Sequence, residues 1–325
     1  MSTTDAASGE GRSLPIPKPR GRIQLQEYAL VGVVALILIG GAILEPDSFL
    51  TTDNMLNVLR QASVVGVLAI GMTFVIATGG IDLSVGSMVA AAAVAGGQLV
   101  DSGSAAFVLG ALAMGIVLGG INASAIAYGR VVPFIATLAM FTMARGLALW
   151  LSDKTPVSLF SLDGVRWFGN GEVIGIPSAA IVFLAVTVFA WVLLNRTRYG
   201  RYVVATGGNR EAARIAGVKV RWIVFSVYVI SGICAGLAAI LVSGRLASAS
   251  PIIGNLYELD AIAAVVIGGS ALAGGRATIV GTFLGVITFA LIFNLLTLMD
   301  LAVEIQQITK GLIILAAVLV QRRER

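Results

Sequence analysis

The sequence predicts an all-α protein, a polytopic bundle of transmembrane helices, and three features of its composition support this prediction. Hydrophobic residues make up 58% of the 325 residues, whereas charged residues make up only 12%. A soluble domain carries roughly 25% charged residues. The mean hydropathy of +0.95 indicates that most of the chain lies in lipid. The 39 glycines suit such a bundle, because small side chains let helices approach closely in a membrane.

Apolar segments of the right length recur along the whole chain. A bilayer core of about 30 Å is crossed by roughly 20 helical residues. This measure predicts about ten spans, and the weakest are 132–151, which contains Arg145, and 257–270, which is short. The predicted spans are 28–44, 55–77, 83–100, 105–128, 132–151, 177–194, 222–243, 257–270, 277–298 and 302–320.

Several glycines within these spans are four residues apart and therefore share one helix face. Spacing of this kind is typical of helix packing surfaces in membranes. We expect these pairs to mark contacts between helices and to have no chemical role. The pairs are Gly115 with Gly119, Gly232 with Gly236, and Gly281 with Gly285.

The distribution of basic residues predicts the orientation of the bundle. With an even number of spans both termini lie on one side, and 16 of the 22 Lys and Arg residues then fall on that side. The positive-inside rule places it in the cytoplasm. The net charge of +5 is therefore a topology signal and does not indicate a nucleic-acid partner. Residues 1–27 are predicted as a disordered basic tail, residues 28–320 as the membrane domain, and residues 321–325 as a short cytoplasmic tail.

Residues that the chain lacks exclude several kinds of chemistry. There is no histidine and only one cysteine, Cys234, so neither a Ser-His-Asp triad nor a His- or Cys-based metal site is available. The phosphate-binding pattern G-x-x-x-x-G-K-[ST] is also missing. We therefore predict no catalytic residue, no metal and no cofactor bound by this chain. If ATP drives it, a partner subunit binds ATP and Mg²⁺.

One basic polar loop, 195–221, separates two long apolar segments. Within it Asn209 suits a helix N-cap and Gly217 suits the position just after a helix, which predicts a short cytoplasmic helix of about two turns. A helix this short is unstable alone in water, so we expect it to dock onto a partner. The alternative is an ordinary charged turn. The candidate coupling residues are Gly208, Asn209, Glu211, Ala212, Ala213, Arg214 and Gly217.

A second pattern appears twice in the chain. Gly79-Gly80, followed after five residues by Gly86-Ser87, matches Gly274-Gly275, followed after five residues by Gly281-Thr282. Paired glycine-interrupted spans indicate a transport site where two repeats meet. Asp82 and Ser84 lie in the first break, so the translocation-pathway candidates here are Gly79, Gly80, Asp82, Ser84, Gly274 and Gly275. The alternative for Asp82 is structural, as a cap that satisfies N–H groups of the next span.

The last predicted span is unusually polar. Asp300, Glu304, Gln307 and Lys310 fall on one helical face, and such a face does not point into lipid. Glu304, Gln307 and Lys310 are therefore further pathway candidates. The alternative is a structural ion pair of Lys310, with Glu304 as the expected carboxylate, and the same alternative applies to Arg145.

Four stretches together resemble the permease subunits of bacterial ATP-binding-cassette (ABC) importers, in the ribose/xylose/arabinose-type branch. They are residues 71–87, 132–146, 200–220 and 261–285, and the resemblance extends over about 28–320. Residues 209–217 match the coupling helix of such permeases. The sequence Glu211-Ala212-Ala213-x-x-x-Gly217 also echoes the broader EAA-x-x-x-G pattern, although the hydrophobic-Pro part that follows in that pattern is missing.

The resemblance implies a multi-pass permease of the bacterial inner membrane that carries a monosaccharide, namely a pentose, a hexose or a related polyol, inward by alternating access. It implies as partners separate ABC ATPase subunits, an external sugar-binding protein, a second permease copy or paralogue, and the bilayer. Within the same class, branched-chain amino acids or nucleosides are alternative substrates. An ion-coupled secondary carrier is the alternative from another class, but the chain has no histidine and most of its acidic residues fall in loops.

Overall fold

The computed structural model describes residues 20–323 and the side chains of residues 28–319. Its first helix begins at Arg20, so residues 20–27, predicted as part of a disordered tail, are helical instead. Its last helix ends at Arg323, so most of the predicted C-terminal tail is helical too. The physical reason is the same at both ends, since Gln, Leu, Glu and Arg are good helix formers and extend an existing span. The predictions for 1–19 and 324–325 lie outside the described residues.

The described residues are mostly helical. Two pairs of two-residue strands and one 3₁₀ turn, Val100–Ser102, complete the structure. The strands are β1 (Val157–Ser158), β2 (Glu172–Val173), β3 (Ile176–Pro177) and β4 (Ser248–Ala249). The helices are α1 (Arg20–Leu44), α2 (Thr52–Ala77), α3 (Val85–Gly97), α4 (Ser104–Ala127), α5 (Pro133–Leu151), α6 (Asp163–Asn170), α7 (Ser178–Arg196), α8 (Arg198–Gly208), α9 (Arg210–Ile215), α10 (Val220–Leu246), α11 (Tyr257–Ile267), α12 (Ile279–Leu298) and α13 (Val303–Arg323).

Every predicted span overlaps one of these helices, which confirms a polytopic helical bundle. Among the described residues, six helices are long and apolar enough to cross a membrane, namely α2, α4, α5, α7, α10 and α12. By contrast, α3 has 13 residues and α11 has 11. A full crossing takes about 20 residues, so neither α3 nor α11 is long enough to cross a bilayer as a regular helix, and we call them half-helices. The number of crossings and the side of each terminus stay predictions.

Helices α2 and α10 form the centre of the bundle. Helix α10 packs along α4 and α2, and α2 also contacts α7, α11 and α12. The predicted glycine faces of α4 and α10 meet: a Cβ built on Gly232 would lie 2.2 Å from the Gly115 carbonyl oxygen. A Cβ on Gly285 would lie 2.2 Å from the Ala264 carbonyl oxygen of α11. These contacts confirm that the spaced glycines are packing surfaces.

Irregular backbone between α10 and α11 lies buried against other helices. Arg145 of α5 donates from one terminal nitrogen to the carbonyl oxygens of Pro251 (2.6 Å) and Ile253 (3.0 Å). Gly254 contacts Gly86 at the start of α3 so closely that a Cβ would lie 2.4 Å from the Gly86 carbonyl oxygen. Irregular backbone at membrane depth is tolerated where protein surrounds it. Arg145 therefore binds backbone carbonyl oxygens of this segment. These hydrogen bonds explain its half-buried position without an ion pair.

The 25-residue segment between the predicted spans 132–151 and 177–194 is folded onto the bundle. It contains α6, which packs against α10, and its strand β1 pairs with β4. Strands β2 and β3 form a hairpin whose tip residue, Ile174, is 97% exposed. This hairpin is an apolar, protruding feature of the loop.

Candidate functional site

The short helix α9 is the first candidate site, and its ends follow from the sequence. Asn209 Oδ1 accepts a hydrogen bond from the backbone N–H of Ala212 at 2.9 Å, as expected of an N-cap. Gly217 has φ +84°, the left-handed conformation that ends a helix and that glycine adopts without strain. Both predicted ends of the helix are therefore confirmed. Its role in docking stays a prediction.

The outer surface of α9 is charged and open. Arg214 holds Glu211 through two hydrogen bonds, one of them from Nε to Oε2 at 3.0 Å, and this contact lowers the pKa of Glu211. Ala213 is the buried residue of α9, whereas Ala212 is exposed and the Ile215 side chain is 76% exposed. Glu211 therefore stays ionised near neutral pH, and the face combines a fixed ion pair with one protruding apolar side chain.

The two glycine breaks predicted from the internal echo meet in the structure. Gly79 and Gly274, which correspond in the echo, both have left-handed backbone, with φ of +78° and +84°. A Cβ built on Gly274 would lie 2.7 Å from the backbone nitrogen of Gly79. The loop after α2 and the loop after α11 thus touch through backbone atoms. Side chains at these positions would separate them.

The end of α8 completes this contact. A Cβ on Gly207 would lie 1.9 Å from the Ala77 carbonyl oxygen and 2.6 Å from the Gly275 nitrogen. The Gly275 N–H itself donates to the Ala77 carbonyl at 3.0 Å. We call this contact of residues 77–80, 207–208 and 274–275 the glycine junction. Since α9 follows α8 directly, the junction links the candidate coupling helix to both breaks.

Asp82 lies at the centre of a buried polar network beside the junction. Its carboxylate accepts hydrogen bonds from the Ser84 N–H (3.0 Å), the Ser84 hydroxyl and the Ser231 hydroxyl (2.8 Å). Asn122 donates to the Ser84 hydroxyl at 2.8 Å. The network ties the start of α3 to α4 and α10. Whether Asp82 also acts in the pathway stays a prediction.

Asp82 accepts a hydrogen bond from one N–H of the predicted span 83–100, that of Ser84, as the structural alternative predicted. The residue at the N-cap position of α3 is Ser84, and Asp82 binds the N–H of that residue, not the N–H groups of the helix itself. Asp82 is also fully buried, so it lines no open space in this conformation. The physical reason is that two extra residues between Asp82 and α3 form a turn that brings the carboxylate under Ser84.

Lys310 has a different carboxylate partner from the expected one. Its ammonium group pairs with Asp260 of α11, whereas Glu304 and Gln307 are exposed. Asp300 lies in the turn before α13 with φ +54°, outside the predicted helical face. The prediction of Glu304 as partner is wrong because α11 packs against α13 and brings Asp260 closer. Asp260 and its neighbour Glu258, which is also buried, are residues that the sequence analysis missed.

The sequence did contain a signal for Glu258 and Asp260. Both lie in the first turn of α11, within an otherwise apolar segment, and an ionisable residue in such a segment is a functional candidate by default. The Lys310–Asp260 pair lines a cavity of about 190 Å³ between α2, α11, α12 and α13. The structure therefore has two distinct features, the glycine junction at the end of α8 and this cavity beside Lys310.

Known proteins were compared with the whole chain. Residues 54–318 match the model of a permease family described as "Branched-chain amino acid transport system / permease component". The ribose import permease protein RbsC of Escherichia coli (strain K12) is 40% identical over 306 residues, which cover 93% of this chain and 95% of the relative. No solved structure matched the chain significantly.

Two further relatives agree with these. RbsC of Bacillus subtilis (strain 168) is 44% identical over 304 residues, covering 90% of this chain and 92% of the relative. The galactose/methyl galactoside import permease protein MglC of Escherichia coli (strain K12) is 37% identical over 307 residues, covering 88% and 91%. This similarity and the apolar helices of the chain together identify it as a transport subunit and as a multi-pass protein of the inner membrane. The chain belongs to the branched-chain-type permease family of ABC transport systems.

Proposed function

We propose that this chain is the transmembrane subunit of an ABC importer that carries a monosaccharide, a pentose or a hexose, into the cell. The observation that supports the substrate class is that the relatives described above are named for ribose and for galactose import, and each covers 88% or more of this chain. The family description names branched-chain amino acids, which makes them the second candidate substrate class.

The proposed power source is a separate ATPase that binds ATP and Mg²⁺ on the cytoplasmic face. Helix α9 is the proposed contact, since its ion pair and Ile215 are presented outward. A push on α9 reaches α8 directly, and Gly207 at the end of α8 contacts both glycine breaks through backbone. Close-packed backbone transmits displacement because it has no room to deform.

The proposed movement tilts two pairs of helices, α2 with α3 and α11 with α12. The break at 78–84 separates α2 from α3, and the break at 268–278 separates α11 from α12. Displacement of Gly207–Gly208 would therefore tilt both pairs together and switch the bundle between outward-open and inward-open states. No bond of the sugar changes, so the chain requires positioning and movement and no catalytic residue. A second permease copy completes the pathway, and an external binding protein delivers the sugar.

Reconstitution tests this function directly. The chain is placed in vesicles with an ABC ATPase and a binding protein from the same operon, and uptake of radiolabelled D-ribose, D-galactose and L-leucine is measured. We expect ATP-dependent uptake of a monosaccharide that stops when either partner is omitted. Uptake by the permease alone under a proton or sodium gradient would establish a secondary carrier instead, and uptake of L-leucine alone would establish the second substrate class.

A further inference from the structure

The cavity beside Lys310 is large enough to hold a sugar ring. Its volume is about 190 Å³, and it lies between α2, α11, α12 and α13. For comparison, an engineered protein cavity of about 150 Å³ accommodates benzene, another six-membered ring. Its lining includes residues from four helices, so a ligand bound here would contact both half-helix α11 and the full-length helices around it.

One part of the lining is polar and offers both hydrogen-bond donors and acceptors. Lys310 supplies an ammonium group and Asp260 a carboxylate, while Gln61 and Gln306 supply amides. Gln306 donates through Nε2 to the Leu301 carbonyl at 2.9 Å, which leaves its Oε1 as an acceptor. Each hydroxyl of a sugar is both donor and acceptor, so this set of groups matches a polyol better than it matches an ion of either sign.

Another part of the lining is aromatic. The rings of Phe289 and Phe293 lie 4.5 Å apart between centroids, tilted by 44°. The Lys310 ammonium lies 5.4 Å from the centroid of Phe293, so the ring and the charge hold each other in place. An aromatic face is apolar and electron-rich, which suits the C–H face of a sugar ring. The cavity thus offers an apolar face and hydrogen-bonding groups.

The ion pair is exposed to this space and is not closed by packing. A charged pair inside a membrane domain costs desolvation energy, and its remaining donors and acceptors need partners. Lys310 and Asp260 keep 17% and 12% of their side-chain surface accessible and line the cavity. An ionisable pair inside a membrane domain is by default a candidate for a functional site. Groups that stay accessible in this way can bind water or the hydroxyl groups of a ligand.

We propose that this cavity is a binding subsite for a neutral monosaccharide inside the permease, with Gln61, Asp260, Gln306 and Lys310 binding hydroxyl groups and Phe293 contacting the ring. The inference rests on the proposed function and deepens it, because it gives the membrane subunit its own contact with the sugar. The subsite holds the sugar by a few contacts, so binding is weak and release remains fast.

Saturation-transfer NMR on the full-length chain in lipid nanodiscs tests the subsite, with D-ribose and D-galactose as probes. The variants are Gln61→Leu and Phe293→Leu, which leave the ion pair intact and so avoid stranding a buried charge. Phe283→Leu is the matched control, because Phe283 lies on the same helix but stacks on Phe183 at 5.3 Å, away from the cavity. Circular dichroism and thermal melting confirm that each variant is folded.

We expect transfer to at least one sugar in the unmodified chain and in Phe283→Leu, and a loss of about tenfold in affinity in both cavity variants. Equal transfer in all four proteins, or none in an unmodified chain whose reconstituted complex imports that sugar, would overturn the subsite while leaving the proposed function intact. Transfer that depends on the cavity in a chain whose complete complex imports no monosaccharide would overturn the proposed function instead.

Discussion

The glycine junction and the cavity beside Lys310 differ in how closely their atoms are packed. In the junction, backbone touches backbone: a Cβ on Gly207 would lie 1.9 Å from the Ala77 carbonyl oxygen. In the cavity, charged, amide and apolar side chains surround about 190 Å³ of space. The first arrangement leaves no room for side chains, which is why we propose that it transmits movement, whereas the second leaves room for a solute. Variants that disturb one region and leave the other intact therefore test this division.

The largest effect is expected from added bulk at the junction. Gly207→Ala introduces a Cβ against two backbone segments that have no side-chain freedom to yield. We expect destabilisation of about 1–3 kcal/mol, as for overpacked cores, together with the loss of ATP-driven uptake. Gly120→Ala is the control, because a Cβ there meets nothing within 4 Å. Thermal melting in detergent and vesicle uptake measure both effects, and a Gly207→Ala protein with normal melting and uptake would refute the junction.

The network of Asp82 should show an intermediate effect that depends on which group replaces the carboxylate. Asp82→Ala leaves the Ser84 N–H and the hydroxyls of Ser84 and Ser231 without their acceptor. The Ser84 N–H is fixed in the backbone, and one buried group left unpaired in this way costs about 1–3 kcal/mol, whereas the two hydroxyls rotate towards other acceptors. Asp82→Asn keeps one oxygen, and serine hydroxyls rotate to accept from its new amide. We therefore expect Asp82→Asn to melt well above Asp82→Ala.

Uptake by the folded Asp82→Asn protein then separates two roles for the same residue. If the carboxylate charge takes part in the pathway, transport falls although folding is kept. If transport is unchanged, Asp82 serves only to join α3 to α4 and α10. If Asp82→Ala and Asp82→Asn both melt at the same temperature as the unmodified chain, the result contradicts the hydrogen-bond network of Asp82.

The smallest effect on stability is expected on the surface of α9. Glu211 and Arg214 are about two-thirds exposed, and an exposed i,i+3 pair is screened by water and contributes little to stability. Glu211→Gln should therefore leave melting unchanged while weakening co-purification with the ATPase subunit. Asp163→Asn breaks the comparable exposed pair with Arg166 on α6 and serves as control. Equal ATPase binding in the two variants would contradict the coupling role of α9.

Local features of the structure were largely predictable from the sequence. Apolar length located the helices, because each span is a continuous segment. The ends of α9 followed from Asn209 and Gly217, whose preferences act over a few residues. Spaced glycines predicted packing faces on α4 and α10 for the same reason. Each of these inferences uses neighbours along the chain.

Contacts between distant segments were not predictable in the same way. Asp260 and Lys310 are 50 residues apart, and their pairing depends on how α11 packs against α13. The contact of Gly207 with Ala77 and Gly275 likewise joins three separate segments. A single sequence gives the residues but not which helices are neighbours. The glycine echo indicated two related breaks, yet only the fold shows that α8 ends against both.

The central claim is that α9 faces the cytoplasm, and cysteine labelling in intact cells tests it most directly. The native Cys234 is buried, so labelling of an introduced cysteine has little background. Ile215→Cys places a thiol on α9, where the side chain is 76% exposed, and Ile174→Cys places one on the β2–β3 hairpin, where it is 97% exposed. With a membrane-impermeant maleimide added outside, we predict labelling at position 174 in intact cells and at position 215 only after permeabilisation. Labelling at position 215 in intact cells would reverse the orientation and contradict ATPase coupling through α9.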